Sequence, residues 1–267
     1  MGHPVPARLG WTSWLLRLHC APDTSAKIAE ALARRPDTSW ITLASGGTEL
    51  YCAVTARTAD ERDALLLRKL PHTPSVVSVQ AHCLLHTFTG TPAAHPLVPR
   101  PAPGPAAPRA DSDTAGLVRL TAADETLLRE LAQDGRAALP QLAEATGLSA
   151  SSVKRHLERL VSEGALEFTV DLAPQHFGYQ MMVRLWLSVR PGKLGTVGAT
   201  MAGHPEISFV AATTGPSNLV ASGVFHGPRD LYHYLDHRVG TLPDVRSVET
   251  APILREVKRL MYGIGTP

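Results

Sequence analysis

Apolar positions in the 267-residue chain change period along its length. From Trp14 to His19, Trp40 to Ala44, Leu50 to Ala56 and Val76 to His86 they form short, β-rich runs, and Ser25 to Arg35 and Ala59 to Leu70 are of helical length between them. The order β-α-β-β-α-β then returns. Strands are predicted over Gln180 to Val189, Glu206 to Thr213, Leu219 to Phe225 and Val245 to Arg255, with helices over Lys193 to Ala202 and Asp230 to Val239.

The return is an internal repeat. Leu9-Gly10-Trp11 answers Phe177-Gly178-Tyr179, Ser45-Gly46-Gly47 answers Thr214-Gly215-Pro216, and Leu50 falls on Leu219, a shift of about 169 residues. Pro74 to Val79 likewise lines up with Pro243 to Val248. Each copy reads as a ferredoxin-like unit whose helices cover one face of a four-stranded sheet. The other face needs a partner, because an exposed apolar sheet is a liability, and pairing of sheets between subunits is the expected solution.

Between the copies the pattern is helical. Leu127, Leu128 and Leu131 share one face of a first helix that Thr121 caps, Leu139 to Thr146 forms a short second helix, and Gly147 suits the turn after it. Ser149 then caps Ala150 to Ser162, where Val153, Leu157 and Leu160 point inward at spacings of four and three. Its outward face carries Ser151, Ser152, Lys154, Arg155 and Arg159, with His156 beside them. Hydroxyls and helix-terminal amides suit phosphates, and Arg suits guanine edges in a major groove. Ala165 to Asp171 alternates as the first strand of a wing would. The bland reading, a three-helix module for protein contacts, needs the same buried residues, and the cationic outer face favours DNA.

These predictions divide the chain into a first sensing domain at 1–89, a linker at 90–116, a winged helix-turn-helix at 117–174, a second sensing domain at 175–260 and a tail at 261–267. The linker rests on seven prolines between Pro92 and Pro108, which break helices and sheet ladders alike. The predicted fold class is α+β: a winged helix-turn-helix plus two ferredoxin-like βαββαβ domains of the dimeric α/β-barrel type.

The stretch Leu139 to Ser149, followed by Ser152 to Leu160 and Glu163-Gly164, resembles the Lrp/AsnC family of feast/famine regulators. Phe177-Gly178-Tyr179 at the entry to a βαββαβ unit adds to the resemblance. It extends over Leu117 to Lys258, and more loosely over Val5 to Thr87. It implies a sequence-specific transcriptional regulator whose helix-turn-helix binds double-stranded DNA as a dimer. The ferredoxin-like domains of such a protein assemble subunits and bind a small effector, commonly an amino acid. The DNA-contacting residues are then Ser149, Ser151, Ser152, Lys154, Arg155 and Arg159. The expected assembly is a homodimer or a larger even-numbered oligomer on a pseudo-palindromic operator, its half-sites about 10 base pairs apart. The chain departs from the family in beginning with a sensing domain, as though a helix-turn-helix before Leu9 had been lost, and either the gene was shortened or its true start lies upstream.

The resemblance puts the effector turn at Thr214, Gly215, Ser217 and Asn218, where the family often has Asp in place of Asn218. Its counterpart in the first copy includes Gly46 and Glu49. A carboxylate pairs with an ammonium by charge, whereas an amide can meet it only as a neutral acceptor, so amino-acid sensing is weakened at Asn218. Gly, Pro, Asn and Ser also build ordinary turns without any ligand, and both readings stand.

A net charge of +2 excludes nothing, since a basic patch is local. Cys20, Cys52 and Cys83, odd in number and widely spaced, describe neither a disulfide framework nor a zinc site, and fit a reducing cytosol. No apolar run reaches the length of a membrane span, so the expected location is cytoplasmic. His233 and His237, at i and i+4 beside Asp236, could chelate a metal on one helix face, but no Glu follows the first His as in a zinc peptidase, and a partly exposed helix surface is expected. His82 and His86 fall on one face of a strand and Cys83 on the other, so no shared metal site is expected there. No cofactor is expected. No phosphate loop, nucleophile elbow or acid pair appears, and the chain is not expected to be an enzyme. The rivals are a sensor or assembly protein that has lost DNA binding, and the related siroheme-decarboxylase branch, for which His156, His176 and Tyr179 are the residues to inspect.

Overall fold

The computed structural model describes residues 2–89, 116–168 and 174–259. Its elements in chain order are β1 (Gly2–Pro4), β2 (Thr12–Cys20), α1 (Ser25–Ala33), β3 (Thr38–Ala44), β4 (Glu49–Ala56), α2 (Ala59–Asp63, continued by a wider π-type turn over Ala64–Lys69) and β5 (Val76–Thr89). Three helices follow, α3 (Ala122–Gln133), α4 (Leu139–Thr146) and α5 (Ala150–Ser162), and then β6 (Leu166–Phe168). The last elements are β7 (Met181–Val189), α6 (Leu194–Ala202), β8 (Ile207–Thr213), β9 (Leu219–Phe225), α7 (Pro228–Tyr234, continued over Leu235–Val239) and β10 (Val245–Lys258). Most of the linker predicted at 90–116 and the tail at 261–267 lie outside the described residues.

The chain falls into two compact units. One is built from α3, α4, α5, β6, β1 and short segments near residues 5–13 and 55–58. Its core is Leu127, Leu131, Leu142, Val153 and Leu160, with Leu157 packed against it. β6 pairs antiparallel with β1, Leu166 opposite Pro4 and Phe168 opposite Gly2. The predicted wing strand therefore finds its partner near the start of the chain.

The other unit contains both repeats. Their strands run β10-β3-β4-β2-β5-β8-β9-β7 around one closed barrel. Within each half the order is that of the ferredoxin-like unit, so β2 and β7 are inner strands and β5 and β10 lie at the seams. Long β5 pairs with β2 at its start, Trp14 opposite Cys83, and with β8 further on, Leu84 opposite Thr213. Equally long β10 serves β7 and β3. The expectation that subunits pair through their sheets is corrected here: the partner of each sheet is the other half of the same chain. Closure satisfies every seam strand on both sides and leaves no sheet edge.

Strand alternation sorts the side chains. Leu16, Leu18, Ile41, Leu50 and Cys52 meet Ile28 and Leu32 of α1 outside the barrel, and Leu185, Leu187, Leu219 and Ala221 meet Val197 and Met201 of α6. The opposite faces supply a third core from strands of both halves: Leu15, Tyr51, Trp186, Phe209, Val220 and Ala251. Tyr51 and Trp186 are the largest of these, their ring centroids 5.9 Å apart, and the Trp186 indole N–H donates to the Tyr51 hydroxyl at 3.4 Å. Arg184 is also buried on this face. It donates to Ser222 Oγ at 2.5 Å and lies 5.6 Å from the Tyr51 ring, and burial pushes its guanidinium down to about 10.

Candidate nucleic-acid interface and effector turns

The helical unit is organised around one buried carboxylate. Asp124 is the third residue of α3 and forms a capping box with Thr121: its carboxylate accepts from the Thr121 amide at 2.8 Å, and its own amide donates to Thr121 Oγ1 at 3.2 Å. The same carboxylate takes His156 Nδ1 at 2.7 Å and an Arg159 guanidinium nitrogen at 2.6 Å, both from α5. Burial works to raise the Asp124 pKa, but the bonds from His156 and Thr121 and the charge of Arg159 outweigh it and hold the group ionised below its usual range. Arg159 reaches Glu163 as well, at 2.8 Å. Its guanidinium therefore pins α5 to the start of α3, and His156 does the same. Sequence spacing within α5 says nothing of this, because Asp124 is 35 residues from Arg159.

The start of α5 is made as its sequence requires. Ser149 caps the helix, its Oγ accepting the Ser152 amide at 3.3 Å, with the Ser151 and Ser152 hydroxyls each 3.0 Å away. Gly147 between α4 and α5 sits at φ +69°, where a side chain would be strained. Val153 and Leu160 are fully buried. Lys154 and Arg155 are exposed, Lys154 3.8 Å from Glu158 and Arg155 donating to Ser152 Oγ at 3.2 Å. Ser149, Ser151, Ser152, Lys154 and Arg155 thus share the solvent-facing start and middle of α5, while Arg159 is turned into the fold.

The two turns of the barrel unit at which an effector is expected differ. After β3, Glu49 is 2% exposed, accepts Ser45 Oγ at 2.6 Å and is ion-paired with Arg17, which also donates to Glu249 at 2.9 Å. Burial would raise its pKa, but bonds from Ser45, Arg17 and Tyr51 prevail and hold it low. Gly46 lies at φ +70° with open space beside it.

After β8, Asn218 replaces the acid and is locked to the backbone of β7: its Oδ1 accepts the Val189 amide at 2.8 Å and its Nδ2 donates to the Val189 carbonyl at 2.9 Å. Thr214 Oγ1 accepts the Cys83 amide at 2.9 Å, and the Thr214 carbonyl lies 2.8 Å from His82 Nδ1. Gly215, at φ +111°, is forced by that imidazole, since a Cβ there would lie 2.7 Å from it. The Ser217 carbonyl accepts from Thr213 Oγ1 at 3.0 Å. Each turn thus spends its polar groups within the fold, on an ion pair in the first repeat and on backbone in the second.

Of the histidines weighed as metal ligands, only His82 bonds to one of these turns. His82 is buried against Trp186, 4.7 Å between rings, Tyr179 stacks on His226 at 4.4 Å, and His237 Nδ1 lies 3.2 Å from the His233 carbonyl. No cluster of three potential metal ligands occurs among the described residues. No described helix is long and apolar enough to cross a membrane.

Comparison with known proteins gives two family models along the chain. One described as the Lrp/AsnC ligand binding domain matches residues 182–262, and one described as winged helix-turn-helix DNA-binding matches residues 120–167. The HTH-type transcriptional regulator FL11 of Pyrococcus horikoshii is 30% identical over 142 residues, 53% of this chain and 93% of that protein. FL11 of Pyrococcus abyssi is 28% identical over the same length. Among solved structures, a transcriptional regulator from Neisseria meningitidis in complex with L-Met is 22% identical, with a TM-score of 0.49 over 53% of this chain and 94% of that one.

Proposed function

The chain belongs to the Lrp/AsnC family of transcriptional regulators, and we propose that it reads specific double-stranded DNA by setting α5 in the major groove. The exposed face of α5 carries this reading. Ser149, Ser151, Ser152 and the free amides of the first turn lie toward phosphates, a role suited to a helix N-terminus. Lys154 neutralises phosphate, and Arg155 is the base reader. Arg159, already held by Asp124 and Glu163, acts by fixing the tilt of α5.

The assembly on DNA is a homo-oligomer of even order. The halves of one chain are used up in closing its barrel and each chain carries one described reader, so a two-fold operator requires two chains meeting through other surfaces. A small effector acts through the barrel at the turns that hold Gly46 and Glu49, and Thr214, Gly215, Ser217 and Asn218. At the first turn an amino-acid ammonium would compete with Arg17 for Glu49. At the second it would meet an amide already bonded to Val189.

Selection from a random duplex library at several salt concentrations tests the reading. Enrichment of a two-fold motif, with affinity falling steeply as salt rises, is the expected result. Arg155→Ala should cost on the order of 1 to 3 kcal/mol and loosen preference at one base position, whereas Lys154→Ala should weaken all sequences alike. Failure to enrich any sequence at low salt would show that α5 serves a protein contact instead.

A further inference from the structure

The same helix pair is built differently in the two repeats, and we infer that the first repeat holds an apolar carboxylate in the groove between α1 and α2. The groove has a volume of about 310 Å³, within the size range of small-ligand sites. Its floor is Ile28, Leu32, Leu65 and Leu70, all buried. Around the rim stand Lys27, Arg35 and Lys69, with Thr24, Thr73 and Ser75 at the ends, and no acidic residue lines it.

The helix pattern explains the shape. Lys27, Ile28, Ala31 and Leu32 of α1 and Arg35 just past its end lie at spacings of three and four, and Leu65 and Lys69 line the same groove from the wide turn that continues α2. Arg35 is paired with Asp37 through bonds of 2.8 and 2.5 Å. Lys27 and Lys69 are exposed, and among the described residues neither has an ion-pair partner. An apolar trough flanked by two unneutralised ammonium groups is complementary to a hydrocarbon chain ending in an anion.

The second repeat supplies the contrast. At the shift of 169 residues, Leu65 becomes Tyr234, Arg35 becomes His204, Lys27 becomes Thr196 and Thr73 becomes Leu242, while Lys69 becomes another cation, Arg238. Tyr234 is buried, its hydroxyl 3.1 Å from His204 Nδ1 and its ring centroid 5.3 Å from that of Phe225, and Leu242 packs against the same core. An aromatic side chain thus fills the place that Leu65 holds in the first repeat. In the first repeat the bulk is absent and Lys27 and Arg35 stand where the second has Thr196 and His204, while the cation of Lys69 is common to both repeats as Arg238. This site lies apart from the turns and does not rest on DNA binding.

Calorimetric titration of the full chain with octanoate tests the assignment, beside octan-1-ol, which has the chain without the charge, and acetate, which has the charge without the chain. Octanoate should bind at a single site, with octanol and acetate each weaker by about tenfold or more, a factor worth about 1.4 kcal/mol per decade. Lys27→Glu with Lys69→Glu should lower octanoate affinity at least about tenfold, and Ala31→Trp, at an exposed position, should plug the groove and abolish binding. Both surface charges can be reversed without touching the core, so the double variant stays readable even if the tryptophan disturbs folding. No binding to the unaltered chain, or equal affinity in the charge-reversed variant, would overturn the proposal.

Discussion

The two repeats make the same fold with opposite choices at equivalent positions. Where the first has Glu49 ion-paired to Arg17, the second has Asn218 bonded to backbone, and where the first puts apolar Leu15 into the barrel, the second puts Arg184. The outward-facing positions on the helix side change little, Leu16 and Leu18 answering Leu185 and Leu187. Helix-facing residues are constrained by packing to stay apolar, whereas the shared interior lets one half place a polar group wherever the other supplies a neighbour for it. Divergence has accumulated where the halves meet or where a helix pair can be left open.

This comparison can be broken by substitution. The largest effect is expected at Glu49. Glu49→Gln leaves Arg17 with only the half-exposed Glu249, and removing one partner of a buried pair costs on the order of 3 kcal/mol. Chemical denaturation at neutral pH measures it. The Glu49 pKa is lowered by folding, so its stabilisation is present above the unfolded value near 4.5 and is lost as pH falls through the lower folded value. The gap between unaltered chain and variant should therefore close in acid, and a gap that persisted well below that range would count against the ion pair.

Asn218→Ala removes two bonds to the Val189 backbone and should cost about 2 kcal/mol with no dependence on pH between 3 and 7, as about 1 kcal/mol per bond implies. If the loss titrated like that of Glu49, the two turns would not be the chemical opposites described. Gly215→Ala drives a methyl into the His82 ring at positive φ and should cost roughly 1 to 2 kcal/mol, read as a fall in melting temperature. Least of all, Arg184→Met should be neutral or raise stability by about 1 kcal/mol, because a buried cation without a carboxylate gains little and an apolar isostere avoids its desolvation. A marked loss there would show that Arg184 does more for the barrel than fill space.

Much of the architecture was legible from local periodicity. The repeat, the β-α-β-β-α-β order, the caps Thr121 and Ser149, and the inward set Val153, Leu157 and Leu160 depend on spacing within one element. The closure of both repeats into one barrel was hidden, because alternation on β5 and β10 requires a buried face without saying whose strand supplies the neighbour. Arg159 read as a surface cation for a similar reason. The only trace of its partner was Asp124, an acid among the apolar positions of α3 that a capping box alone accounted for. The pairing of β6 with β1 left no signal, since Gly2–Pro4 is three residues long and ends in proline.

Closing the barrel within one chain also changes its response to dilution. Separate subunits find each other at the rate and equilibrium set by their concentration, and a thinly expressed protein comes apart. Two halves on a single polypeptide hold an effective concentration fixed by the tether between them, commonly in the millimolar range, whatever the cell supplies. Barrel formation here is thus a folding event of first order, and a cell with few copies still has every one of them closed.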